Sequence, residues 1–310
     1  MSKTDRQMME ELSIKTNFQV DIVEKVYRLS DLLKELNEID SIKNHLVLKG
    51  GTAINFLYFD IPRLSVDIDL DYIGSVKKEA MMHDRKIIKE ILEKLYKKQG
   101  YNIDTREQYA LLQSMLSYIN TAGNKDKIKV EINFFNRVPV FDVVERKFVD
   151  IFGFKDFNVI TLVPEDLFGR KLRALMTRAT ARDLYDSYQL FTKEIKIDKK
   201  LLRKCFIFYL CCHGDPRNIN VNILDEITPL DIKTTLHPLL RKGEKIKLDD
   251  LLKTIKPVIR NFLKFDNEED DFITQLFDYK TYNPEILFKN IKFNTQIKEH
   301  PGIKWHLQNM

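Results

Sequence analysis

The sequence is poor in the residues that break or cross-link chains. It has ten glycines and nine prolines among 310 residues, about half the usual combined share of roughly 12%. That excludes collagen-like and glycine-rich chains and leaves room for long helices. Cys205, Cys211 and Cys212 are the three cysteines, an odd number in one apolar segment. No disulfide framework is therefore expected, and a reducing compartment fits. Cys211 and Cys212, adjacent on a helix, would point about 100° apart. They are read as buried packing rather than as metal ligands beside His213. The six histidines are scattered, and neither zinc spacing nor a Ser/His/Asp or Cys/His set is found among them. His83, His237, His300 and His306 lie in polar contexts and are read as surface residues. The longest strongly apolar run, Cys205 to Cys212, is far short of the roughly 20 residues that span a bilayer. The opening MSKTDRQMMEEL carries acids where a signal peptide has its apolar stretch. A cytoplasmic protein without a membrane partner is the expectation.

What remains is an ordinary folding composition, 44% hydrophobic and 31% charged, in a chain long enough for about two domains. The net charge of +5 and pI near 8.8 permit an anionic partner without demanding one. No internal repeat is present. From Asn17 to Ile39, Phe18, Ile22, Val26, Leu29, Leu33 and Leu36 recur at helical spacing. His45 to Leu48 is a short apolar run that ends at Gly50-Gly51, and Thr52 to Phe59 reads as a helix closed by Pro62. Val76 to Lys98 carries Ile87, Ile88, Ile91, Leu92 and Leu95 among lysines, a second long surface helix that ends at Gly100. Tyr101 to Arg106, Ala110 to Asn120 and Lys127 to Phe135 read as meander strands, the last two joined at Ala122-Gly123-Asn124. Beyond Pro164 the spacing is helical, which places a domain boundary near residue 160.

Between these elements lies the informative text. Ser65 to Tyr72 alternates Val66, Ile68 and Leu70 with Asp67, Asp69 and Asp71, so the three carboxylates share one side of a strand. Such close like charges repel unless a cation lies among them. Asp71, at the strand end, is read as a solubilising surface acid. Asp67 and Asp69, flanked by core residues, are read as metal ligands, since hard carboxylates suit Mg²⁺ or Mn²⁺. Just upstream, Gly50-Gly51-Thr52 opens a helix, where exposed amides favour a phosphate. A triphosphate and its divalent ion need both parts side by side. The loop is no Walker A motif, because the Gly-Lys-Ser/Thr ending is missing.

With Leu48-Lys49-Gly50-Gly51-Thr52-Ala53, then Arg63-Leu64-Ser65-Val66-Asp67-Ile68-Asp69-Leu70, and later Asp166 through Asp186, the sequence resembles the DNA polymerase β-type nucleotidyltransferases. It resembles more closely the AbiEii/AbiGii and MenT toxin family of type IV toxin–antitoxin systems. The likeness runs from about residue 46 to 190. It implies an α+β chain: a nucleotidyltransferase-fold domain with a mixed sheet over 1–160, then a mainly helical domain over 161–310, with the active site between the lobes. It further implies a metal-dependent enzyme (Mg²⁺ or Mn²⁺) with an NTP as substrate, contacted by Gly50, Gly51, Thr52 and Ser65. A third carboxylate is expected on a neighbouring strand, and Glu131, which shares a face with Lys129 and Asn133, fills that place beside Asp67 and Asp69. Lys171 stands where the family has an essential lysine, a triphosphate contact. Asp183 becomes a second catalytic-site acid and Asp186 a lesser one, although Thr180-x-x-Asp183 is also a capping-box pattern. The acceptor implied is RNA, with a tRNA 3′ end the leading choice, and its modification would block translation in a phage-defence setting with a cognate antitoxin.

Lys171, Arg178 and Arg182 are read as a cationic stripe on one helix. Two rival readings stand beside the leading one: a protein-modifying nucleotidyltransferase or phosphotransferase with the same site, and a silent binding module. The intact Asp67, Asp69 and Lys171 argue against the second.

Overall fold

A computed structural model describes residues 5–149, 151–153 and 157–309. Backbone contacts divide the chain into two units. The first is Met1–Arg137, Val143–Thr161 and Pro238–Glu244, and the second Val138–Asp142, Leu162–His237 and Lys245–Met310.

The first unit is built on a mixed seven-stranded sheet. Its strands are β1 (Leu46–Lys49), β2 (Asp67–Tyr72), β3 (Asn102–Gln108), β4 (Leu111–Ile119), β5 (Lys125–Asn133), β6 (Val144–Lys147) and β7 (Asn158–Thr161). The order across the sheet is β3-β4-β5-β2-β1-β7-β6. β2 runs parallel to β5 and antiparallel to β1, which puts the acidic strand in the middle. The alternation read from sequence is obeyed: Ile68 and Leu70 on β2, and Ile128, Val130 and Ile132 on β5, are buried.

The helices α1 (Arg6–Thr16), α2 (Val20–Asn37), α3 (Asp40–Lys43), α4 (Gly50–Ala53) and α5 (Lys78–Lys98) complete this unit. On α2, Val26, Leu29, Leu33 and Leu36 are buried, as its period requires. The buried Glu24 of α2 accepts from Arg28 and, at 2.8 and 2.7 Å, from the backbone N–H and hydroxyl of Thr121 in the β4–β5 turn. From α5, Arg85 donates to the carbonyls of Gln108 and Tyr109 in the β3–β4 turn at 2.6 and 2.8 Å. Both turns are thus held by helix side chains, while Ile87, expected on the apolar face of α5, is exposed. The helix expected over Thr52 to Phe59 is instead α4 followed by a π-helical turn, Ile54–Tyr58. Such turns are rare and gather at functional sites. The segment Pro238–Glu244 returns to this unit, where the N–H of Leu64 donates to the carbonyl of Leu239 at 2.8 Å and that of Lys242 to Asn17 at 2.7 Å.

The second unit is helical. α6 (Pro164–Arg178) begins with Pro164 and carries Glu165 and Asp166 in its first turn, a favourable start for both the backbone and the helix dipole. It ends at Ala179, whose φ of +43° is left-handed. α7 (Ala181–Thr192) restarts from the Thr180 cap and α8 (Lys199–Cys211) from Asp198. The break at Ala179 corrects the cationic stripe: Lys171 and Arg178 lie on α6, Arg182 on α7, so no continuous helix face joins them. Cys205, Cys211 and Cys212 are free and buried. His300, read as a surface residue, is fully buried beside Phe208, its ring Nδ1 3.8 Å from the Cys212 sulfur. Its polar sequence neighbours concealed a packing position. No described helix is long and apolar enough to cross a membrane.

Candidate active site

The acids of the first unit meet through register. Asp69 on β2 stands directly across from Glu131 on β5, and Asp67 across from Lys129. Parallel pairing with a two-residue period puts all four side chains on one sheet face. Lys129 extends its ammonium among the carboxylates, 3.9 Å from Asp69 Oδ1 and 3.4 Å from Glu131 Oε2. Burial pushes the Lys129 pKa down, but Asp69, Asp67 and Glu131 outweigh it and hold the group above its ordinary value. All three of Asp69, Lys129 and Glu131 remain partly open to solvent.

Asp71 departs from the surface reading. It is fully buried and its Oδ1 lies 2.5 Å from the ammonium of Lys49, on the neighbouring strand β1. A buried carboxylate needs such a partner, so Asp71 belongs to the fold and leaves Asp67 and Asp69 as the accessible pair.

The glycines are explained by the same acids. Gly50 has φ +72°, and a Cβ there would lie 2.4 Å from Asp69 Oδ2. A Cβ on Gly51 would lie 2.7 Å from an Arg63 guanidinium nitrogen and 2.9 Å from the Ser65 hydroxyl. The double glycine therefore lets β1 and its loop press against the Arg63-Ser65-Asp69 segment, and its coupling to the acidic strand is steric. The Thr52 hydroxyl donates to the Asp67 carbonyl at 2.5 Å, fixing the strand's first acid to the loop. Thr52, Arg63 and Ser65 are all buried.

Asp67, Asp69 and Glu131 offer the hard oxygen donors that Mg²⁺ and Mn²⁺ take, and two of them, Asp69 and Glu131, already accommodate a cation, the Lys129 ammonium. In that respect the residues fit a divalent ion. As they stand, no three His, Cys, Asp or Glu side chains among the described residues are gathered tightly enough to hold one.

The remaining predicted residues lie in the second unit. The Lys171 ammonium is 2.9 Å from Asp183 Oδ1 and 2.9 Å from Asp186 Oδ2, with all three side chains buried. Asp183 also accepts from Arg178, at 2.6 and 3.0 Å, and from the Thr180 hydroxyl at 2.8 Å. Burial would raise its pKa, but Lys171 and Arg178 overcome that and hold it well below the carboxylate range. Asp183 thus serves both as the third residue of the α7 cap and as the hub of an ion cluster. Sequence reasoning missed the ammonium of Lys129. Its signal was present, since Lys129 and Glu131 were already assigned to one face.

The match to known proteins runs through most of the chain. The family model described as nucleotidyl transferase AbiEii toxin, type IV TA system, matches residues 31–272. No curated protein matches the chain in sequence. Among solved structures, the fold is similar to that of the nucleotidyltransferase toxin MenT4 from Mycobacterium tuberculosis H37Rv, at a TM-score of 0.66 and 16% identity, covering 93% of this chain and 100% of that one. The chain belongs to the AbiEii family of nucleotidyltransferase toxins of type IV toxin–antitoxin systems.

Proposed function

We propose that the protein transfers a nucleoside monophosphate from an NTP to a hydroxyl of RNA, with a tRNA 3′ end as acceptor, and so blocks translation until a cognate antitoxin opposes it. The observation that supports this most is the register of β2 and β5, which brings Asp67, Asp69 and Glu131 to one partly open face beside the double glycine. Asp67, Asp69 and Glu131 would hold Mg²⁺ or Mn²⁺. When bound, these ions supply positive charge to the attacking and leaving oxygens.

Gly50, Gly51, Thr52 and Ser65 contact the nucleotide, with the Thr52 hydroxyl already committed to Asp67. Glu131 takes the proton of the acceptor hydroxyl. The acceptor oxygen bonds to the α-phosphorus as the bond from that phosphorus to pyrophosphate breaks, and pyrophosphate leaves with the electron pair. Positioning of the two reactants accounts for much of the remaining acceleration. By the family resemblance, Lys171 contributes a phosphate contact and Asp183 a second acid.

Incubation with total RNA and each of the four α-labelled NTPs tests the reading. Label should enter RNA from at least one of them. Label in protein alone would move the acceptor to a protein, and label in neither would remove the transfer activity. Binding to tRNA should also weaken steeply with added salt, because phosphate neutralisation releases counterions.

A further inference from the structure

Lys129 has no part in the transfer reaction above, yet its ammonium lies where a catalytic cation is needed. Three facts bear on its role. Its position is set by the sheet, directly across from Asp67 and two residues before Glu131 on the same face. Its head reaches both Asp69 and Glu131. Its strand neighbours Ile128 and Val130 are buried, so the backbone cannot shift to carry the ammonium away, whereas the flexible four-carbon stem can. Lys49 offers a contrast: it is bound to Asp71, which is buried and outside the accessible acid pair.

We infer that Lys129 is an internal counterion that competes with divalent cations for Asp69 and Glu131, so that an ion binds only after displacing the ammonium. The inference rests on the nucleotidyltransferase reading of the acids. Its logic is linkage: whatever stabilises the acids in the metal-free protein must be given up when a metal replaces it. A positive charge left within about 4 Å of a divalent ion also repels it, strongly so at a half-buried site. The cost is the metal affinity of the resting protein, and the gain is an acid cluster that stays folded without metal.

Manganese titration of the full chain without nucleotide, followed by the electron paramagnetic resonance signal of free Mn²⁺, reads the competition directly. Lys129→Met and Lys129→Gln should bind Mn²⁺ about tenfold or more tightly than the unaltered protein, since one opposing charge is gone. Lys129→Arg, which keeps the charge, should stay close to the unaltered affinity. Without metal, Lys129→Met should melt lower than the unaltered protein, and Mn²⁺ should raise its melting temperature by the larger amount. If Lys129→Met does not fold, the Gln variant carries the same comparison. Unchanged or weaker Mn²⁺ affinity in the neutral variants would overturn the inference and leave the nucleotidyltransferase reading in place. Failure of every variant and of the unaltered protein to bind Mn²⁺ would overturn the inference, and the nucleotidyltransferase reading falls with it only if labelled NTP also enters neither RNA nor protein.

Discussion

The two ion clusters of this protein use the same parts to opposite ends. In the first unit one ammonium, Lys129, is shared among three acids on a partly open sheet face. In the second, Lys171 lies between two buried acids, and Arg178 adds a second positive charge. The second is closed at its centre, with side-chain exposures of 7% for Lys171, 2% for Asp183 and 0% for Asp186, while Arg178 stands at its open edge at 60%. The first is open, and exposures of 27% to 29% for Lys129, Asp69 and Glu131 leave it able to exchange its cation. A cluster with solvent access can exchange its cation, whereas buried carboxylates around a buried ammonium hold their partner in place.

The largest effect should separate the two clusters. Asp67→Ala or Asp69→Ala should cut nucleotide transfer by about a thousandfold or more while leaving the melting temperature near that of the unaltered protein, because both side chains are only half-buried. Retained transfer in both variants would sink the metal mechanism. Lys171→Ala should behave differently, losing transfer and also about 3 kcal/mol of stability, since it takes the ammonium away from two buried carboxylates. A melting curve should show this as a fall on the order of 10 °C. A variant of full stability would mean that the buried cluster is no framework. From sequence, Lys171→Ala is expected to be thermally neutral, and the burial of the cluster corrects that expectation.

A smaller effect tests the steric link between glycine and acid. Gly50→Ala forces a side chain into a left-handed conformation, a cost of about 1–2 kcal/mol, and pushes a carbon against Asp69. Displacement of that carboxylate by a fraction of an ångström should slow transfer on the order of 10- to 100-fold, seen as a loss in kcat larger than any rise in KM for the NTP. Normal kcat would show that the double glycine serves only the turn.

The smallest effect concerns acid. The Asp183 pKa is depressed in the folded chain, so its contribution to stability is complete above its unfolded value, about 3.9, and drains away as the pH falls below that. Asp183→Asn should flatten the fall of stability between about pH 4 and pH 2 relative to the unaltered protein. Parallel melting profiles for the two proteins over that range would remove Asp183 as a source of the acid sensitivity.

Much of this was legible in the sequence because it depends on period alone. The alternation of Asp67 to Tyr72 fixed the accessible face, and the spacing of α2 and α5 fixed their buried sides apart from Ile87. What escaped depends on partners far along the chain. Asp71 obeys the same alternation as Asp69, and only the arrival of Lys49 from β1 makes it a buried structural acid. Ala179 ends α6 in a left-handed conformation with neither glycine nor proline to announce it, so the cationic stripe was drawn through a break. The capping pattern Thr180-x-x-Asp183 was the available warning. α1, β6 and β7 were not anticipated. The last two are four residues each, too short for a periodic signal.

The return of Pro238–Glu244 to the first unit has a consequence in time. The backbone N–H of Leu64, three residues ahead of Asp67, finds its acceptor only when Leu239 has been made. At roughly 5–20 residues per second, the ~100 residues between β5 and that segment take on the order of 10 s to synthesise. A nascent chain therefore carries every acid of the sheet face well before the segment leading into β2 has its final hydrogen bond. A fragment cut after β7 would remain at that unfinished stage permanently.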